Sequence, residues 1–100
     1  MRQGTTPKHT FTLPFAVPDT SAVRIIYAQG EKVLFVKTGT DVSIAENKIF
    51  TRLSQEETFS LDYKQKVKIQ IRILTENGEA LASHIMTASV EDCLESEVMR

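Results

Sequence analysis

The chain has 100 residues, 41% of them apolar, which is enough for one domain with a single core and no covalent staples. Its charged residues nearly cancel to a net −1, so nothing favours general binding to nucleic acid or a membrane surface, and no apolar run approaches the roughly 20 residues that cross a bilayer. The lone cysteine, Cys93, cannot form an internal bridge, as expected of a protein folded in a reducing cytoplasm.

The first nine residues, MRQGTTPKH, are polar and interrupted by Gly4 and Pro7. They read as a flexible arm over residues 1–9, ahead of a domain over 10–90 and an acidic tail over 91–100. The arm lacks the apolar stretch, about 7–15 residues, of a secretory signal. Phe11, Leu13 and Phe15 then alternate with Thr10, Thr12 and Pro14, as in a strand that anchors into a core. Pro14 cannot donate to a ladder, so this strand lies at an edge or breaks there. Pro18 and Asp19 with Thr20 and Ser21 mark a turn.

Val23, Ile25 and Tyr27 keep the same alternation, AQGE turns the chain, and KVLFVK follows as a short apolar run. DVSI and KIFTRL are two further short strands separated by Ala45, Glu46 and Asn47. Ser54 stands three residues before Glu57, the spacing of a capping box, so one helical turn is expected in SQEETF. KVKIQIRI is the clearest strand. Val67, Ile69, Ile71 and Ile73 point one way, and Lys66, Lys68, Gln70 and Arg72 the other.

TENGE returns the chain into ALASHIMTASV. A two-residue turn at Asn77 and Gly78 would place Ala82, His84 and Met86 beside Ile69 and Ile73; a three-residue loop pairing Thr75 with Glu79 would place Leu81, Ser83 and Ile85 there. Burying Leu81 and Ile85 removes more apolar area and avoids opposing Glu76 to Glu79, which favours the loop. In the tail, Val90, Leu94 and Val98 are spaced for a short helix capped by Ser89, and equally for an irregular end. About seven short strands, with turn signals roughly every eight to twelve residues, define an all-β antiparallel sandwich or barrel.

Chemistry is not legible in the chain. His9, His84 and Cys93 lie in separate segments without the spacing of a metal site, and Cys93 beside Glu91 and Asp92 makes a poor nucleophile. Gly4, Gly30, Gly39 and Gly78 are too far apart for a phosphate loop, and the acidic pairs at 56/57 and 91/92 fall in turn or terminal segments. Lys64, Lys66, Lys68 and Arg72 form a basic stripe without interleaved aromatics, explained as well by an edge strand guarded against aggregation as by a binding surface. No catalytic, metal or cofactor residues are assigned, and no enzyme activity is expected. Residues 1–40 carry a surplus of positive charge and the tail a surplus of negative; chance clustering on a solvated surface is the simpler reading, and steering of one copy toward another the alternative.

The stretches RQGTTPKHTFTLPF, VRIIYAQGEKVLFVK, LSQEETFSLD and VKIQIRILTENGEALASHIMTASVEDCL together resemble small proteins encoded in prophages of Gram-positive bacteria. The likeness runs from Arg2 to about Val98, with departures at Ser54 and at His84, and its motifs carry turns and strands rather than catalysis. It implies a virion or tail-assembly component, and the strand pattern is similar to the Ig-like modules of phage baseplate proteins. The resemblance therefore implies an Ig-like β-sandwich acting in protein–protein contact, in the host cytoplasm or within the virion. Its expected partners are other phage proteins or further copies of itself, not nucleic acid, a membrane or a small-molecule substrate. A small phage binder of a host protein is the alternative. The expected interaction residues are Arg2, Thr5, Thr6 and Lys8 of the arm and Lys66, Lys68 and Arg72 of the stripe.

Overall fold

The alternation in KVKIQIRI becomes β6 (Val67–Leu74) in a computed structural model that describes residues 1–100. Its four odd-numbered residues are buried, while Lys68 and Arg72 are exposed. β2 (Ala22–Gln29) runs antiparallel along it, from Ala22 opposite Leu74 to Ala28 opposite Lys68. This register puts Val23, Ile25 and Tyr27 on the same inner face as Ile69, Ile71 and Ile73. β3 (Lys32–Thr38) returns on the far side of β2, and β7 (Ala80–Ala82) and β8 (Met86–Ala88) pair with the free side of β6. The result is a five-stranded sheet. β6 is thus interior to it, and the reading of its lysines as an edge-strand device does not hold, because β6 has neighbours on both sides.

A three-stranded sheet has the order β1-β5-β4, from β1 (Lys8–Thr12), β4 (Val42–Ala45) and β5 (Lys48–Arg52). Ile49 and Leu53 from this side join Ile25, Tyr27 and Ile71 in one core, so the two sheets form an all-β antiparallel sandwich of eight strands. A 3-10 turn at Gly39–Asp41 and helix α1 (Gln55–Phe59) carry the chain between the sheets. α1 has the expected capping box: the Ser54 hydroxyl accepts from the Glu57 N–H, and the Glu57 carboxylate accepts from the Ser54 N–H. No helix is long and apolar enough to cross a membrane.

The β6–β7 hairpin takes the three-residue loop. The Thr75 N–H donates to the Glu79 carbonyl at 2.9 Å, Gly78 is left-handed at φ 84°, and Leu81 faces Ile73. The register then changes: Met86, not Ile85, lies opposite Ile69. The extra residue is absorbed at Ser83, whose hydroxyl accepts the Ile71 N–H at 3.0 Å and donates to its neighbour's carbonyl. The expectation that Ile85 is buried is therefore corrected. The bulge turns Ile85 into solvent and Met86 inward.

Two further expectations change, that Phe15 anchors in the core and that residues 1–9 form a flexible arm. β1 stops at Thr12, and the chain ahead of β2 is tied to the β4–β5 turn instead, with the Leu13 and Val17 N–H groups bonding the Asn47 and Glu46 carbonyls. Leu13 is buried there, but Phe15, beyond Pro14, is exposed. The leader does not project as an arm over residues 1–9. Lys8 and His9 belong to β1, and the residues before them lie on the domain. The Gln3 side chain donates to Leu61 O, Thr58 donates to Thr5 O, and the Met1 ammonium sits 2.9 Å from the Glu91 carboxylate. Gly4 packs so closely that a Cβ there would lie 2.7 Å from the Phe59 ring, with a left-handed φ of 78°. The tail forms no helix and closes through paired hydrogen bonds between Gln55 and Met99.

The bulge makes two isoleucines energetically unequal. Ile71→Ala is expected to lower stability by about 2–5 kcal/mol, and Ile85→Ser to change it by less than about 0.5 kcal/mol, in urea unfolding followed by circular dichroism. Equal losses would contradict the inverted register of β8.

Candidate functional site

Both sides of the sandwich end in strand edges, β3 and β4 on one and β1 and β7 on the other, but the chain crosses between the sheets directly at the first. Where β3 passes to β4, the 3-10 turn bridges the sheets. On the opposite side β1 pairs only with β5, and β7 and β8 pair only with β6, so two strand edges with unpaired backbone groups border one gap. Phe11, Leu13 and Phe15 line it from the small sheet, and Ile73, Leu81 and Met86 from the large one, around a hollow of about 430 Å³. A second hollow of about 410 Å³ shares Phe15, Ile73 and Leu81 and extends the groove toward Pro18 and Glu79. The groove is apolar in its walls, and its only titratable wall residue in the first hollow is His84.

A polar cluster lies deeper, between the sheets. Tyr27 is fully buried, and its hydroxyl lies 2.7 Å from His9 Nδ1; its ring stacks on His9 and, at 4.7 Å, on Phe35. Burial, aided by the nearby N-terminal charge, lowers the His9 pKa, and burial beside Glu57 raises that of Tyr27. The neutral imidazole is thus the favoured form, and the bond is consistent with Tyr27 donating to it. Lys37, buried although charged, bonds both Glu57 oxygens at 2.8 and 3.1 Å. Burial alone would raise the Glu57 pKa, but the bonds from Lys37 and Ser54 outweigh it and leave the carboxyl below its ordinary range. These groups satisfy one another and fix α1 to the sheet. No grouping of three or more His, Cys, Asp or Glu could hold a metal ion.

The interaction residues expected from the sequence do not converge on one surface. Arg2 donates to Asp92 O, Thr5 to Arg2 O, and Thr6 accepts from Arg52, all at the α1 end of the molecule. Lys8 lies on the outer face of the small sheet, 5.0 Å over the Phe50 ring. Lys66 precedes β6 and is exposed; Lys68 reaches Gly30 O; Arg72 stands opposite Arg24. Arg24 was passed over because only the β2–β6 register makes it a neighbour of Arg72. His9, which carries no metal-site spacing, faces inward on β1, a placement signalled by its even spacing from Phe11.

Fold and groove together define a small β-sandwich with an open edge. Comparison of the chain with known protein families, curated proteins and solved structures finds no match.

The cluster has a pH signature. A histidine whose pKa is lowered by folding binds a proton more readily in the unfolded chain, so stability is lost as pH falls below about 6.5. The melting temperature is expected to fall between pH 7.5 and roughly pH 5.5, and His9→Gln should flatten that slope. A slope that survives His9→Gln would assign it elsewhere. Lys37→Ala, which strands Glu57, is expected to cost about 2–4 kcal/mol in urea unfolding at neutral pH; no loss would contradict the buried ion pair.

Proposed function

We propose that this chain is a non-catalytic interaction module of phage assembly, of the tail or baseplate kind that its sequence resembles. The observation that carries the reading is the open side of the sandwich, where an apolar groove is flanked by two unpaired strand edges. An extended segment of another virion protein fits that geometry. Main-chain hydrogen bonds to β1 or to β7 provide affinity, and alternate side chains entering between Phe11 and Leu81 provide selectivity. Pro14, two residues past the end of β1, and the Ser83 bulge, which splits the opposite edge, keep these edges short and so limit indiscriminate pairing. The groove replaces the arm as the means of contact, since the leader already bonds within the domain.

Co-purification with assembled particles tests the reading. The chain is expected to sediment with particles from an induced lysogen, and Leu81→Glu, placed in the groove, to reduce that association by roughly tenfold or more while retaining the circular dichroism of the fold. Absence from particles, with assembly unaffected by deleting its gene, would overturn the proposal. Salt-sensitive recovery of a host protein instead would favour the alternative of a small phage binder using Lys66, Lys68 and Arg72.

A further inference from the structure

All 13 Asp and Glu residues lie outside the eight strands, in turns, α1 and the tail. The outward face of the five-stranded sheet therefore carries cations without carboxylates. Arg24 and Arg72 are direct cross-strand partners on that face, with Thr38 and Ala82 completing their row, and neither is ion-paired. Like charges set directly opposite repel one another, and an anion placed between them removes that repulsion. A hollow of about 230 Å³ opens beside the two guanidinium groups, lined also by Ala22, Leu74 and Ala80.

The tail carries the complementary chemistry. It is held at Glu91, whose N–H donates to Met1 O, and again at Met99, which exchanges two hydrogen bonds with Gln55. Between these anchors the chain presents Leu94 fully to solvent, with Asp92, Glu95 and Glu97 exposed around it and free of ion pairs. A crest tied at both ends loses less conformational freedom on docking than a free end does.

We propose that the crest at residues 92–97 of one copy docks on the Arg24 and Arg72 face of a second copy. Leu94 enters the hollow beside Leu74 and Ala80, and the flanking carboxylates take the two guanidiniums. Crest and face are different surfaces, so the contact is heterologous, and repetition builds a ring or an open filament rather than a closed pair. The hollow shares Ile73 and Leu81 with the groove between the sheets, so Leu81→Glu bears on both contacts, whereas Arg24, Arg72 and the crest lie outside the groove and their variants test this contact alone.

Light scattering across a concentration series tests it. The wild-type mass is expected to rise with concentration, and to rise less in high salt. The double variant Arg24→Glu with Arg72→Glu and, separately, Leu94→Asp should each weaken self-association by roughly tenfold or more. Both changes lie on exposed side chains, and circular dichroism checks that the fold persists. Mixed together, the two variants should recover a one-to-one dimer and nothing larger, because one supplies an intact crest and the other an intact face. A wild-type protein that stays monomeric at its highest attainable concentration would overturn the proposal. So would self-association that depends on Arg24 and Arg72 but ignores Leu94, or variants that fail to complement.

Discussion

The antiparallel pairing of β2 with β6 is the constraint on which the rest of the molecule depends. Its register, from Ala22 opposite Leu74 to Ala28 opposite Lys68, sorts both strands at once. Ile25 meets Ile71 and Tyr27 meets Ile69 on the inner face, while Arg24 meets Arg72 on the outer one. Because side chains alternate with period two, a slip of β6 by one residue would turn Lys68 and Arg72 into the core and Ile69, Ile71 and Ile73 into water. The loss of apolar burial and the desolvation of two charges would then act in the same direction, which is why this register is strongly specified. The core and the cationic face are two consequences of one alignment.

The second sheet is held to this pair by packing and by a few polar groups that satisfy each other. Ile49 and Leu53 supply apolar area, and His9 on β1 meets the Tyr27 hydroxyl across the interface. Glu57 serves twice. It completes the capping box of a helix too short to be stable alone, and it neutralises Lys37 within the interior. Lys37 and Glu57 tie α1 to β3, while the groove between β1 and β7 is mainly apolar, with His84 and Glu79 as its titratable wall residues.

Charge follows the same architecture. Strands carry lysines and arginines but no acids, and the acids gather in turns and in the tail. A net charge near zero conceals the acid-free outer face of the large sheet, since the two signs cancel in the sum. Separated charge of this kind orients encounters between molecules at distances up to a Debye length, roughly 8–10 Å in ordinary salt.

The sequence by itself determined the fold class, most strand positions, the capping box at Ser54 and the loop register at Gly78. These depend on interactions between residues close in the chain, or on alternation that reads directly as inside and outside. Only the tertiary structure decided which strand is interior, that Ile85 turns outward, that the leader is docked and that Arg24 stands beside Arg72. Each depends on partners remote in sequence. The Ser83 bulge exists because a hydroxyl can replace a carbonyl opposite Ile71, and no periodicity announces that. The leader, polar and broken by Gly4 and Pro7, lacks every local signal of order. It is held by groups more than fifty residues away, such as Thr58 and Glu91, and that binding is invisible until the chain has folded.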